Sequence, residues 1–267
     1  MKKCAYCDTT EIKITREHVV NKSFIDGYYK IGKGYANVYQ KYTENYLTVT
    51  DVCAKCNNEI LSSFDEYFLS FYSENLPSKI VNLHDSFIIN YNFEKLSKWL
   101  LKTLFNSERK NAYPEIPQKM HRFKNYIIGK ESDCRSFKIY LEILSDIEHE
   151  DWKNLSGLPT NFDGKFNFLR LGTILFNEQT QTGIKDIMKH LTSSNFKFHI
   201  FILDGESESS EGFERLYQKY LMNILTDRIY YIDHEKTQVE IMASPRTILD
   251  DLKNTFEGDQ HFSQRKK

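Results

Sequence analysis

The chain has 267 residues, of which 40% are hydrophobic and 27% are charged, and its formal net charge is −1. This composition is typical of a globular protein with room for two modest domains, and it excludes attraction to nucleic acid by overall charge. The sequence shows no apolar run of membrane-spanning length and no secretory signal, so no membrane contact and a cytoplasmic location are expected.

Two C-x2-C pairs flank a long insert near the start of the chain. Cys4 and Cys7 form the first pair, and Cys53 and Cys56 form the second. Because each pair is predicted to lie on a tight turn, the four thiolates can bind one structural zinc ion. Two disulfides, or buried thiols with no ligand role, are the alternatives, but disulfide frameworks are typical of small secreted chains. The remaining cysteine, Cys134, has no partner and is predicted to be a buried small hydrophobic residue.

The insert begins with a predicted strand, residues 13–20, that carries the doublet Glu17-His18. Neighbouring residues on a strand point to opposite faces, so this doublet needs a kink or a strand end to serve one site. Residues 24–46 are rich in Tyr, Gly and Asn, which predicts a long loop or a loose hairpin. Residues 46–52 predict a second strand that leads to the second cysteine pair.

A helix is predicted directly after the second cysteine pair. Its apolar residues recur at helical spacing, at Ile60, Phe64, Phe68 and Phe71. Asn57 and Asn58 stand at its start, where Asn is a common helix N-cap. Asp65 lies about 12 Å further along the helix than Asn57, too far to share one ion with it. Asp65 is therefore predicted to be a structural or surface residue.

Together these pieces resemble the HNH endonuclease family in its zinc-stapled form. The matching residues are the two cysteine pairs, the doublet Glu17-His18 followed by Val19, and Asn57 directly after the second pair. The resemblance covers about residues 1–72. It implies a ββα-metal fold and metal-dependent hydrolysis of phosphodiester bonds, with double-stranded DNA as the expected partner.

The resemblance also implies roles for individual residues. His18 would be the general base, and Glu17 and Asn57 would hold a catalytic Mg²⁺ or Mn²⁺ ion. Cys4, Cys7, Cys53 and Cys56 would hold the structural zinc away from the chemistry. Two alternatives stay open: an RNase that uses the same residues, and a zinc-binding module that recognises nucleic acid or protein without cutting it.

The chain departs from the family's pattern at three places. Glu17 stands where the family usually has Asp, and Asn21 stands where it often has Pro. The middle asparagine of the family has no clear match, because Thr48 occupies its usual place. Asn45 and Asp51 are the nearby substitutes, and the sequence does not choose between them.

The predicted boundary near Pro77 and Ser78 gives an HNH module, residues 1–77, and a larger mixed α/β domain, residues 78–267. The predicted fold class of the whole chain is therefore α+β. The second domain carries no motif that points to a reaction, and its histidines are scattered along the chain. Targeting, oligomerisation and regulation are its candidate roles, through a protein partner or a second copy of the chain. One hypothesis is that it restrains the nuclease until a signal arrives, as a bacterial antiviral-defence effector requires.

The second domain opens with a strongly predicted helix, residues 92–106. Lys98 and Lys102, with Arg109 just beyond the helix, belong to a locally basic segment that is the best candidate for a phosphate-contacting surface outside the catalytic module. An ordinary solvated helix face is the alternative reading of these residues.

The rest of the second domain alternates predicted strands and helices. Strands are predicted at residues 137–144, 166–176 and 196–203, a helix at 212–225, a hairpin of 228–232 with 237–242, and a final helix at 245–256.

Overall fold

The computed structural model describes residues 2–10, 13–28, 34–36, 41–43, 47–75, 77, 81–109, 115–132, 136–146, 169–176, 186–224, 226–247 and 250–251. Cys134, Asn45 and the part of the predicted final helix beyond residue 251 lie outside these ranges. The described residues form both helices and antiparallel sheets, which confirms the α+β class. No helix among them combines the length and apolar character needed to cross a membrane.

The N-terminal part contains an antiparallel strand pair. Strand β1 (Ile14–His18) pairs with β4 (Thr48–Cys53), and the register shifts between Thr15 and Glu17. This irregularity and the end of β1 at His18 are the kink and the strand end that the doublet was expected to need. The prediction of a strand at each end of the insert is therefore confirmed.

A short helix and a hairpin lie between these strands. Helix α1 (Lys22–Tyr28) follows Asn21, whose side-chain oxygen accepts a hydrogen bond from Ser23 N at 2.6 Å. Strands β2 (Gly34–Ala36) and β3 (Lys41–Thr43) pair antiparallel, as a loose hairpin predicts. The start of the predicted loop was wrong because Asn21 caps a helix that the Tyr-, Gly- and Asn-rich composition concealed.

The helix predicted after the second cysteine pair is confirmed. A π-helical turn (Cys56–Leu61) continues into α2 (Ser62–Asn75). The N-cap residue is Lys55, which makes no side-chain cap, so the expectation that Asn57 or Asn58 caps this helix was wrong. Strand β5 (Ser86–Asn90) and helix α3 (Phe93–Glu108) come next. Asn92 caps α3 by accepting a hydrogen bond from Lys95 N at 3.0 Å, close to the predicted helix start.

The C-terminal part is built on an antiparallel sheet. Its strands and the remaining helices are α4 (Glu115–His121), α5 (Lys124–Ile127), β6 (Phe137–Ser145), β7 (Leu169–Phe176), β8 (Asp186–Ser193), β9 (Phe196–Ile202), α6 (Ser210–Ile224), β10 (Tyr230–Tyr231), β11 (Gln238–Met242) and β12 (Ser244–Thr247). In the described residues the sheet order is β10-β6-β9-β8-β7, and β12 runs parallel beside β6.

Two predictions for the end of the chain were wrong. β10 and β11 do not form a hairpin with each other, because β10 pairs with β6 and β11 pairs with β5. Each of these strands pairs with a strand that is distant in the sequence, and local sequence patterns do not reveal such pairings. Residues 244–247 are strand β12 rather than the start of a helix, and Pro245 is tolerated there at the margin of the sheet.

One hydrophobic core runs across the predicted domain boundary. Phe68 of α2 stacks on Trp99 of α3 with ring centroids 3.3 Å apart, and the Phe198 ring of β9 lies 6.4 Å from Phe68. The Phe24 ring of α1 meets the other side of this cluster, 5.1 Å from Phe68. Helices α2 and α3 are thus covered by residues from both predicted domains, while the boundary itself stays a prediction.

This shared core gives the first testable prediction. A fragment of residues 1–77 lacks Trp99 and Phe198, so it leaves the apolar face of α2 in water. We expect the fragment to lack a cooperative thermal transition, whereas the full chain melts cooperatively. Near-UV circular dichroism and scanning calorimetry of both proteins with added zinc check this. A cooperative, zinc-loaded fragment would support an independent N-terminal domain instead.

The opposite face of the sheet carries a buried polar network. His199 of β9 contacts Glu142 of β6 through Nε2 at 3.0 Å and Tyr220 of α6 through Nδ1 at 2.6 Å. Arg246 of β12 donates to Glu142 Oε2 at 3.0 Å, and Ser244 donates to Oε1 at 2.7 Å. Paired charges and satisfied acceptors of this kind are what allow polar groups to lie inside a protein.

A second carboxylate continues this network towards β7 and β8. Asp251 pairs with Lys197, and it accepts a hydrogen bond from Thr192 Oγ1 at 2.9 Å. His190 lies between Gly172 and His199 in the strand register. A Cβ atom at Gly172 would stand 2.0 Å from His190 Nε2, so only glycine leaves room for this imidazole.

The buried histidines predict a stability that falls in acid. Burial lowers the pKa of His190 and of His199 below the ordinary value of 6.5. The unfolded chain then binds more protons than the folded chain below about pH 6.5, so the stability that these groups provide is present above that pH and is lost below it. Each group contributes a slope of up to about 1.4 kcal/mol per pH unit.

The measurement is the free energy of unfolding in urea between pH 8 and pH 5. We expect a plateau above about pH 7 and a decline below about 6.5. His199→Gln should flatten this decline, and His234→Gln is the matched control because the His234 side chain is exposed. An unchanged slope in the His199 variant would contradict the assignment.

Candidate metal centre and ion cluster

The four paired cysteines form one compact cluster of sulfur donors. Their Sγ atoms all lie within 4.8 Å of one another, and Cys7 Sγ and Cys53 Sγ are 3.6 Å apart. Tetrahedral zinc with Zn–S bonds of about 2.3 Å requires sulfurs about 3.8 Å apart. All four thiols are free rather than paired in disulfides. The donor set therefore fits a metal ion such as zinc.

Backbone groups prepare the cluster for a cation. Cys53 N donates to Cys4 Sγ at 3.3 Å, and Cys56 N donates to Cys53 Sγ at 3.4 Å. Burial alone raises the pKa of the Cys4 thiol, but backbone N–H groups, first that of Cys7, outweigh burial and lower this pKa to about 7. Such N–H groups stabilise the thiolate, which is the form that binds a metal ion.

The cysteine cluster is tied to helix α3. Tyr6, which lies between Cys4 and Cys7 in the sequence, is fully buried, and its hydroxyl donates to Asn106 Oδ1 at 2.7 Å. Arg109 Nη1 contacts Asp51 Oδ1 at 2.5 Å and its guanidinium lies over the Phe105 ring at 4.7 Å. The first cysteine turn and β4 are thus both fastened to the C-terminal half of α3.

Glu17 lies in a buried ion cluster rather than at an open surface. Its Oε1 atom is 2.6 Å from Lys102 Nζ, and the same ammonium contacts Asp65 Oδ1 at 2.8 Å and Oδ2 at 2.9 Å. Trp99 Nε1 also donates to Asp65 Oδ1, at 2.9 Å. Lys102 is fully buried, and both carboxylates are nearly so. We call Glu17, Asp65 and Lys102 the ion cluster.

The surroundings of Glu17 and Lys102 set their protonation. Burial raises the pKa of Glu17, and the positive charge of Lys102 lowers it by less, so this pKa lies above its ordinary value. Burial by itself lowers the pKa of Lys102, but the Asp65 and Glu17 carboxylates outweigh it and raise that pKa. Lys102 is therefore an ammonium ion that balances one of the two buried carboxylates.

His18 lies at the end of β1, beside the ion cluster and partly exposed. Burial lowers the pKa of its imidazole, and the positive charge of Lys102 lowers it further. The neutral form, which can accept a proton, is thus favoured near neutral pH.

Asn57 fastens the helix to the irregular part of β1. Its Nδ2 atom donates to Thr15 Oγ1 and to the Arg16 carbonyl, both at 3.0 Å. Thr15 Oγ1 in turn donates to the Val52 carbonyl of β4 at 3.0 Å. Within the described residues both bonds of the Asn57 side chain use the amide nitrogen, and neither uses its amide oxygen, which is the atom that can bind a cation. The structure brings Asn57 next to the backbone that precedes the doublet.

Two residues of the predicted basic surface are buried. Lys102 is fully buried in the ion cluster, and Lys98, also buried, pairs with Glu94 at 2.5 Å. Arg109, largely buried, is engaged by Asp51 and Asn106. Lys98, Lys102 and Arg109 therefore pair with carboxylates of the same chain and do not form a solvated face.

Sequence reasoning missed the role of Asp65 and Lys102, although a signal exists for each. Asp65 shares helical spacing with Leu61, Phe68 and Tyr72, so it lies on the apolar side of α2, where a carboxylate needs a cation. The apolar residues of α3 occupy more than one face, a pattern that indicates a buried helix and therefore a buried Lys102.

Comparison of the chain with protein-family models, with curated proteins and with solved structures finds no match. The functional interpretation therefore rests on the residues and contacts of the chain itself.

The cysteine cluster predicts one zinc ion per chain. Cys53→Ser should abolish zinc binding and lower the free energy of unfolding by on the order of 5 kcal/mol, because the metal joins the first turn to β4. Elemental analysis and urea unfolding measure both effects. Cys134→Ser is the matched control, since Cys134 belongs to neither pair. Full zinc content in the Cys53 variant would contradict the prediction.

Proposed function

We propose that the chain is a metal-dependent endonuclease of the HNH type that hydrolyses phosphodiester bonds in DNA. The observation that carries the proposal is the pair of hydrogen bonds from Asn57 to Thr15 and Arg16. These bonds join the first helical turn after the second cysteine pair to the strand that bears Glu17 and His18. Asn57, which directly follows Cys56 of the cysteine cluster, is thereby bonded to the strand that carries the other two residue types suited to phosphodiester hydrolysis.

Each residue has a chemical task in this proposal. His18 accepts the proton of the attacking water, which its neutral imidazole suits. Glu17 and the amide oxygen of Asn57 hold a divalent cation such as Mg²⁺ or Mn²⁺, for which carboxylate and amide oxygens are suitable ligands. The cation, when bound, supplies charge neutralisation at the phosphate and the leaving oxygen. The four cysteines hold the strands and helix together and take no part in the reaction.

The ion pair between Glu17 and Lys102 favours a second candidate, a zinc-binding recognition module without cleavage. A carboxylate that is committed to an ammonium 2.6 Å away needs no metal ion for its charge. In that case the cysteine cluster would present a surface to nucleic acid or protein, and His18 would have no catalytic task.

Cleavage assays with a histidine variant decide between these candidates. Supercoiled plasmid, single-stranded DNA and RNA are incubated with the full chain and Mg²⁺ or Mn²⁺. We expect the wild type to nick the plasmid, and His18→Ala to lose on the order of 10²-fold or more of this rate, the usual loss for a general base. His84→Ala is the matched control, because His84 is exposed and lies in another part of the chain.

The outcomes separate the alternatives. Loss of cutting with unchanged zinc content supports the nuclease and its base. Cleavage of RNA alone supports an RNase with the same residues. Binding of nucleic acid without cleavage by any variant supports the recognition module. Equal cutting by wild type and His18→Ala rejects His18 as the base.

A further inference from the structure

The ion cluster has more negative than positive charge. Glu17 and Asp65 are two carboxylates, and Lys102 is the ammonium that contacts both of them, at 2.6 to 2.9 Å. Trp99 Nε1 adds a neutral donor to Asp65. A buried group of this composition is short of one positive charge, which a divalent cation in place of the ammonium would supply.

One carboxylate oxygen in the cluster has an ion-pair partner but no well-aligned hydrogen-bond donor among the described residues. Glu17 Oε1 is buried, and no donor in the part of the chain that the structure describes meets it with hydrogen-bond geometry. Lys102 Nζ is close enough for an ion pair, at 2.6 Å, but the contact lacks the angles of a hydrogen bond. The ammonium thus balances the charge of this oxygen but donates no well-aligned hydrogen bond to its lone pairs.

We infer that Glu17 and Asp65 form a cation site in which the Lys102 ammonium is the resident cation, and that a divalent metal ion binds there when Lys102 is displaced. The inference deepens the proposed function, on which its regulatory meaning rests, because Glu17 is the proposed ligand of the catalytic ion. Lys102 then competes with the metal ion for Glu17, so the wild type holds the ion less tightly than a chain without this ammonium.

The contact distances suit an exchange of cations. The ammonium lies 2.6 to 2.9 Å from three carboxylate oxygens, from Glu17 and Asp65. Metal–oxygen bonds of about 2.0 to 2.6 Å for Mg²⁺ and Ca²⁺ need only a contraction of some tenths of an ångström around the same centre. Two carboxylates with water completing the shell are an ordinary ligand set for Mg²⁺ and Mn²⁺.

Removal of the ammonium tests the inference. Lys102→Met keeps the length and apolar stem of the side chain and leaves two carboxylates without their cation. We expect this full-length variant to melt at a lower temperature than the wild type without divalent ions. Saturating Mn²⁺ should then raise its Tm by about 5 °C or more, and should raise that of the wild type far less.

Two matched variants control for unspecific effects of metal ions. Lys102→Met combined with Asp65→Asn keeps the apolar substitution but removes one ligand, so Mn²⁺ should no longer raise its Tm. Lys189→Met removes another fully buried lysine, which lies on β8 and contacts Glu108 of α3 at 2.5 Å, and Mn²⁺ should not rescue it. Titration of Mn²⁺ followed by calorimetry should show at least about tenfold tighter binding to Lys102→Met than to the wild type, equal to about 1.4 kcal/mol.

The results distinguish this inference from the proposed function. Rescue of Lys102→Met by Mn²⁺ without any cleavage supports the cation site and rejects the nuclease. Cleavage by the wild type without such rescue supports the nuclease and overturns the cation site. If Lys102→Met folds only when it is purified with Mn²⁺, the rescue is demonstrated. If Lys102→Met stays unfolded with Mn²⁺, the inference is wrong. The inference is also wrong if Mn²⁺ changes the Tm of all three variants alike.

Discussion

The contact of Lys102 with Glu17 and Asp65 joins the three elements on which the N-terminal site depends. Glu17 comes from β1, Asp65 from α2 and Lys102 from α3. Removal of one partner from a buried ion pair typically costs about 3 to 5 kcal/mol, because it leaves an uncompensated charge inside the protein. This contact therefore fixes how the strand pair lies on the two helices, and the position of His18 at the end of β1 follows from it.

Local signals predict much of the fold. The cysteine pairs, the strand of residues 13–20 and the helix after Cys56 were all found from spacing and composition. Pairing over long distances was not, since β11 pairs with β5 across most of the chain. Strand β8 was missed because Lys189, His190 and Thr192 interrupt its apolar pattern. Lys189 and Thr192 are buried there with Glu108 and Asp251 as partners from other elements.

The candidate site was predictable in its residue types but not in its charges. The spacing of the cysteines sufficed to bring four sulfurs together, since each pair needs only a tight turn. The partner of Glu17 could not be read from the N-terminal segment, because Lys102 belongs to a helix beyond the predicted boundary. The sequence predicted a basic surface on the same helix, because the spacing of residues along a helix does not reveal how many neighbouring elements enclose it.

Helix α3 contacts both metal-related clusters of the N-terminal part. Its residues Asn106 and Arg109 hold Tyr6 and Asp51 beside the cysteines, and Lys102, one turn earlier, holds Glu17. A shift of α3 along its axis therefore moves the ammonium relative to Glu17 while it strains the contacts of the cysteine turn. Phe198 of β9 packs near Phe68 of α2, and Lys189 of β8 contacts Glu108 of α3, so a ligand or partner on the C-terminal sheet would act on the ion cluster through these contacts. Regulation by the predicted domain of residues 78–267 then requires no separate inhibitory segment. Lys102, the side chain that contacts Glu17 and Asp65, already belongs to that domain.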